Sequence, residues 1–434
     1  MSTVSARMPA ASASMSTSRS SSNRAPAWWR VETVLALFVA TQVCAGVLRW
    51  ILGKVGLAAA IYLPTVLLWV AVAAVAWRHL RRNDLSMGAI ALGALLLLGV
   101  LVGALSLPMQ QVAFGAWVLT PAICGYALGG RIDPAQPWAR IFVALALIVA
   151  CIGVFGDDAM RYPWIGANFE LAGKEITGSR DWNIGEHRRL AGFSRSSFDA
   201  AGQIAVFAVV VNAHLRGRAL RTLVWALSIA GVACTTARGV LVAMFVAMLV
   251  IESPNALRMF ALRAFTAIGV LWMTLPPLLA WTVDFSQAAR LQLKTSYGSY
   301  LDRMANMWPQ ALDLLTHAPA PPLGRGIGGI GAAQTLYEPD RFNAADNLLV
   351  YQGVALGVLA LPPIFFLLVG LLRRAFHATP ASLAMCTLAL IVVWYGAVSN
   401  ILEHPILALV FGVQLNLALA SFRSPSALPR STSP

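Results

Sequence analysis

The chain has 434 residues, of which 58% are apolar and only 12% charged, with a formal net charge of +14. Soluble domains run nearer a quarter charged, so a mean hydropathy of +0.70 argues against an ordinary soluble fold. Apolar runs of about 18 or more residues recur, each long enough for a bilayer core of roughly 30 Å. The basic surplus is therefore read as topology and as anionic ligands at a membrane, and nucleic acid is not expected. The expected fold class is an all-α, polytopic integral membrane protein.

In chain order, residues 1–30 begin Ser/Ala-rich with scattered Arg and no acid. They lack the apolar core of a signal peptide, and a disordered cytoplasmic tail is expected, with an organelle transit peptide as the alternative. A transmembrane domain over 31–422 follows, then a short cytoplasmic tail, 423–434. About twelve spans are expected: 31–48, 55–77, 87–107, 112–130, 141–156, 199–215, 222–237, 239–251, 264–283, 346–371, 381–399 and 405–422. All five cysteines, Cys44, Cys124, Cys151, Cys234 and Cys386, fall inside apolar runs and read as small packing residues.

Alternate connections differ in charge. Arg78, Arg81 and Arg82, Arg131 with Arg140, Arg216 with Arg218 and Arg221, Arg258 with Arg263, and Arg373 with Arg374 fall on one side. Short connections on the other side, 108–111 and 400–404, have no Lys or Arg; the first outer turn, with Arg49 and Lys54, is an exception. The positive-inside rule then places both termini in the cytoplasm. Two far-side connections, 157–198 and 284–345, are too long to be turns. They carry Arg161, Lys174, Arg180, Arg188, Arg189 and Arg195, then Arg290, Lys294, Arg303, Arg325 and Arg341. Salt bridges with Asp157, Glu170, Glu186 and Asp302 account for part of this charge. The remainder points to an anionic ligand, because the planar guanidinium fork fits phosphate bidentately.

Arg238, in Thr235-Thr236-Ala237-Arg238-Gly239, has almost no loop around it. An arginine so near hydrocarbon is a functional candidate by default, the alternative being one that snorkels to the interface. Gly324-Arg325-Gly326-Ile327-Gly328-Gly329 superficially resembles a phosphate-cradling loop, but no Gly-Lys-Ser/Thr follows and no strand precedes it. A flexible turn re-entering the membrane is the plainer reading, although its N–H groups could still meet an anion. Asp313 and His317 are four apart on an amphipathic segment, which alone is no metal site. There is no HExxH, no CxxC pair and no carboxylate cluster of metal-ligand spacing, so neither metal nor cofactor is expected.

Three segments together resemble a family. Arg189-Leu190-Ala191-Gly192-Phe193 before a span is similar to the first arginine motif of the O-antigen ligase and polymerase superfamily. Thr236-Ala237-Arg238-Gly239 resembles its Ser-Arg-Gly motif. Pro322 to Gly328, then Asp346-Asn347-Leu348-Leu349 with Gly353 or Gly357, resembles its long-loop signature. Asp346 stands where the ligases carry histidine, which favours a repeat-unit polymerase over a ligase.

The resemblance implies glycosyl transfer from a glycan on undecaprenyl diphosphate, presented at the periplasmic face of a bacterial inner membrane. Arg189 and Arg238 would bind the diphosphate, helped by Arg188, Arg341 and Arg325, with Asn347 beside the substrate. Asp346 would take the acceptor's proton, His187 and His404 being reserves; alternatively Asp346 caps the helix that follows. A flippase and a chain-length regulator are the expected partners. A twelve-span transporter shares the topology, yet no half-to-half repeat is evident and the turn Trp77 to Asp84 has no glycine. A polyprenyl-phosphate-sugar transferase would need an acidic pair in the first outer loop, which has none.

Overall fold

The computed structural model describes residues 31–131, 136–171, 174–184, 187–287, 298–318, 320–373 and 379–422. Both expected tails, with Arg290, Lys294, Glu186 and Arg374, lie outside the described residues. The chain is mostly helical. Two antiparallel hairpins, β1–β2 (Asn168–Leu171, Lys174–Thr177) and β3–β4 (Trp182–Ile184, His187–Arg189), lie in the first long connection.

Among the described residues, five helical segments are long and apolar enough to cross a membrane: Ala58–Arg81, Met87–Ser106, Pro137–Ala159, Asn255–Thr282 and Leu348–Arg373. The number rises to seven if each of two bent pairs is one span. The first pair is α1 (Val31–Val43) and α2 (Ala45–Lys54), which meet at 82° and break the run expected at 31–48. Gly46 causes the turn: its N–H donates to Phe193 O at 2.8 Å, and a Cβ there would lie 2.6 Å from Ser194 O. α2 is thereby pinned under the first long connection, and Arg49 goes with it. α3 (Leu63–Arg81) and α4 (Met87–Ser106) follow, then α5 (Met109–Val118) and α6 (Thr120–Leu128), the second pair, bent by 42°.

The next helices are α7 (Pro137–Ala159), α8 (Ser197–His214), α9 (Arg218–Cys234), α10 (Arg238–Glu252) and α11 (Asn255–Thr282). The second long connection contains α12 (Gly298–Asp302), a π-helical turn Arg303–Met307, α13 (Trp308–Thr316) and α14 (Ala332–Tyr337). α15 (Leu348–Leu356), α16 (Leu361–Arg373), α17 (Pro380–Gly396) and α18 (Pro405–Ala420) complete the bundle. α8, α17 and α18 are buried along nearly their whole length and form its centre. Around them α4, α7 and α11 leave Leu101, Leu105, Ile141, Ile148 and Leu271 exposed, the pattern of helices with one face toward lipid. Glycines set the closest crossings: a Cβ on Gly125 or Gly412 would collide with the backbone of Leu409 or Ala122, as expected where small residues let helices approach.

The segment Leu348–Arg373, which matches the expected span 346–371, is interrupted by a 3-10 turn at Gly357–Ala360. α15 stops at Gly357, in the left-handed region at φ +60°, which leaves carbonyls without helical partners. Arg325 N and Gly326 N donate to Val354 O and Ala355 O at 2.7 and 3.0 Å, and Ile327 N donates to Gly99 O at 2.9 Å. Gly99 lies about two turns inside the end of α4, so the glycine-rich loop descends roughly 10 Å along that helix. The loop expected to be a flexible turn is therefore bonded on both sides. Irregular backbone at such depth is tolerated where it is buried in protein.

Candidate functional site

Hairpin β3–β4 positions the first arginine. Arg189 stands opposite Trp182 in the register, and its guanidinium lies 4.0 Å from the Phe198 ring centre, a cation–π contact. Its Nε is buried with no hydrogen-bond partner among the described residues. The rest of the motif is clamped from below. Asp157, fully buried, accepts from Ala191 N and Gly192 N at 3.1 Å each, and Trp164 Nε1 donates to Gly192 O at 2.9 Å.

Arg238 opens α10, following a turn in which Thr236 adopts φ +58°. A β-branched residue in that region is strained. Thr235 Oγ1 accepts from Ala237 N at 3.3 Å and donates to Val232 O at 2.6 Å, holding the turn.

Asp346 occupies a second strained turn, with Ala345 at φ +62° and Asp346 at φ +42°. The surroundings over-determine it. Trp308 Nε1 donates to Ala345 O at 2.9 Å, and Asn343 Oδ1 accepts from Ala345 N at 2.7 Å. Non-glycine residues in this conformation cost about 1–3 kcal/mol each and concentrate at functional sites. Of four such residues among those described, Thr236, Ala345 and Asp346 flank this site; the fourth, Asn83, is an ordinary turn. Arg303, from the π-helical turn, places Nε and Nη2 at 2.9 and 2.8 Å from Asp346 Oδ2. Asp346 does not cap α15. Asn347 does, accepting from Leu349 N and Val350 N at 2.9 and 3.1 Å.

These elements converge. Tyr395, Arg303, Asp346 and Arg238 all lie within Coulomb range of Arg189. Burial is the main cause that holds the Arg189 guanidinium below the usual arginine range, with Arg303 and Arg238 adding repulsion. Tyr395, 2% exposed, lies within Coulomb range of both Asp346 and Asp199 and so joins this cluster to a second one. There His404 Nδ1 faces Asp199 Oδ1 at 2.9 Å, and Nε2 faces Ser399 Oγ at 3.3 Å. Arg195 Nε donates to Asp199 Oδ2 at 3.1 Å, and Ser196 Oγ donates to the same oxygen at 2.8 Å. Arg49 lies within Coulomb range of Arg195, Arg180 and Asp199. Arg49, an exception to the expected charge pattern, thus belongs to this cluster. Glu403 joins the two long connections: its carbonyl accepts from Arg195 Nη2 at 3.1 Å, and its Oε1 from Ala332 N at 2.6 Å.

Four expected site residues are placed otherwise. Arg188 is committed to Asp157, with Nη1 2.8 Å from Oδ1 and Nη2 donating to the carbonyl. Asn347 is fully buried and its Nδ2 donates to Met273 O and Ala397 O, both at 3.0 Å. Pro277, four residues after Met273, has no N–H to give that carbonyl, so Asn347 serves as a bolt between helices. Arg325 is buried, donating to Gly329 O at 2.7 Å and to Glu338 Oε1 at 2.6 Å. Arg341 is exposed and lines a separate cavity of about 420 Å³ with Asp313, His317 and Asp340. His187 lies with Arg188, Asp158 and Thr236 on a third, mostly polar cavity.

From sequence Arg195 and Arg303 stood only among the basic residues of the two long connections, and Asp199 and Tyr395 had no expected role. Asp199 was findable, since an acid inside an apolar run is a functional candidate and Ser196-x-x-Asp199 is a capping pattern. Arg303 and Tyr395 had no comparable signal. Among the described residues, no group of three or more His, Cys, Asp or Glu is placed to share a metal ion. No protein-family model matches the chain, and no curated protein matches it.

Proposed function

We propose that this protein is a membrane glycosyltransferase that polymerises oligosaccharide repeat units carried on undecaprenyl diphosphate, for a bacterial exopolysaccharide or O-antigen. The observation that carries the reading is the gathering of Arg238, Arg303 and Asp346 around Arg189, with Arg303 paired to the Asp346 carboxylate, beside two strained turns. Such a basic, partly buried site suits a diphosphate.

In the proposed reaction the acceptor hydroxyl oxygen forms a bond to the donor's anomeric carbon. The bond from that carbon to the diphosphate oxygen breaks, and the leaving undecaprenyl diphosphate keeps the electron pair. Arg189, Arg238 and Arg303 stabilise the charge that develops there, the kind of interaction for which one good donor is worth about 3 kcal/mol. Asp346 takes the acceptor's proton through Oδ1, which accepts no hydrogen bond from a described residue, while Oδ2 holds Arg303. The site then faces the periplasm in a multi-pass protein of about twelve spans in the inner membrane, both termini cytoplasmic. A flippase supplies the donor and a chain-length regulator attends the product.

His404 favours a second reading. The histidine missing from position 346 has a counterpart here, its Nδ1 held by Asp199 and its Nε2 turned to Ser399. That is the arrangement of an oriented imidazole base, and it would suit an O-antigen ligase that moves glycan to a lipid A core. Extension of lipid-linked repeat units by purified protein, against transfer to a lipid A core acceptor, separates the two. Uptake of lipid-linked units without new glycosidic bonds would support a transporter instead.

A further inference from the structure

The cavity between α13 and the 338–343 segment is built differently from the arginine cluster. Its floor is rigid. Arg325 and Asn343 are 7% and 4% exposed, and both are committed inside the protein, Arg325 to Glu338 and Asn343 to Met307 O at 2.8 Å. Arg341 is held through its backbone, its N donating to Glu338 O at 3.0 Å and its carbonyl accepting from Gln334 Nε2 at 2.9 Å. Its rim is open and mixed in sign. Asp313 and His317 pair at 3.1 Å, with Asp340 and Arg341 beside them. Phe342, 45% exposed, adds an aromatic face, and Gln310 an amide.

Charge decides the ligand class. Glu338 already answers Arg325, and Asp313 and Asp340 stand against Arg341, so a diphosphate would meet as much repulsion as attraction. A neutral polyhydroxyl ligand meets carboxylate acceptors, guanidinium and amide donors, and a flat apolar face together. A volume of about 420 Å³ falls within the usual range for small-ligand sites, roughly 300–1,000 Å³. Position agrees. Asn343 lines this cavity and bonds Ala345 N, and the three residues to Asp346 span at most about 10 Å.

We infer that this cavity is a subsite for the neutral glycan portion of a substrate, set beside the arginine cluster through Asn343 and Ala345. Its role in transfer rests on the function proposed above, but its binding of glycan does not. The probe is the free oligosaccharide released by mild acid from the host's own lipid-linked pool. Saturation-transfer NMR on the full-length protein in nanodiscs reads binding, and steady-state transfer reads KM and kcat. Wild type shows saturation transfer to sugar protons. Asp340→Asn and Phe342→Ala each weaken binding about tenfold and raise KM with kcat little changed. Gln310→Trp, which fills the cavity from the exposed face of α13, gives the same loss. Arg238→Ala still binds the free sugar while its transfer falls about 10²–10³-fold. If wild type transfers glycan but the three cavity variants match it in binding and KM, the subsite is wrong and the proposed function stands. If wild type binds the sugar through this cavity but forms no glycosidic bond, the subsite stands and the proposed function falls.

Discussion

Asp346 and Arg303 hold each other in a geometry that admits two roles. As the base, Asp346 loses its function in Asp346→Asn, and general-base catalysis is typically worth about 10²–10⁴-fold. The expected result is lipid-linked single repeat units accumulating unpolymerised. Asp346→His recovers part of the activity, since histidine tolerates the left-handed conformation better than most residues. If instead Asp346→Asn is mild while His404→Gln removes transfer, the proton goes to the imidazole held by Asp199. Arg238→Ala lowers transfer about 10²–10³-fold at near-normal abundance. Arg238→Lys restores little, because a point charge does not reproduce a bidentate contact; full activity in the alanine variant would make Arg238 a snorkelling residue. Arg238 was readable from sequence because charge in apolar surroundings stands out, and Arg189 and Asp346 because their segments resemble motifs of a known family. Their assembly was not, since it depends on Arg303, 43 residues from Asp346 along the chain, and on Tyr395 of α17.

Among the elements, the glycine-rich loop is the one whose sequence reading changed most. Its re-entry into the membrane was expected from glycines before an apolar run. Its rigidity was not, because the bonds that fix it come from α4 and α15. Gly326 shows the constraint: at φ +87° a Cβ would run into the Gly103 backbone. Gly326→Ala therefore destabilises the protein by at least about 1–3 kcal/mol from backbone strain alone, seen as a lower thermal midpoint and reduced membrane abundance. A normal midpoint would show that the loop is not held against α4. Glu338 adds a pH dependence. Burial pushes its carboxyl up, but hydrogen bonds from Arg325 and Gln111 outweigh that and hold it below the usual carboxylate range. A depressed carboxylate contributes stability above its unfolded value, about 4.3, and loses it as pH falls through the folded value. The thermal midpoint should fall below about pH 4 in wild type and less steeply in Glu338→Gln. Equal slopes would remove Glu338 from the account.

For the whole molecule, composition alone made a helical membrane bundle legible. The breaks at Cys44 and Gly357 were not, because each accompanies close packing of distant backbone, whereas the break at Leu119 has a local mark in Pro121 at the start of α6. The proposed topology predicts that reporters fused after Gly178 or Asp302 are periplasmic and those after Arg218 or Arg374 cytoplasmic. A cytoplasmic reporter at Asp302 would put Arg303 and Asp346 out of reach of a donor in the outer leaflet. The most direct test of the central claim uses purified full-length protein in proteoliposomes, supplied only with undecaprenyl-diphosphate-linked repeat units from its host. Extended glycan is expected, with one undecaprenyl diphosphate released per glycosidic bond formed, and near-complete loss of both in Arg238→Ala. Donor that remains unextended with active wild-type protein, or extension undiminished in Arg238→Ala, would contradict it.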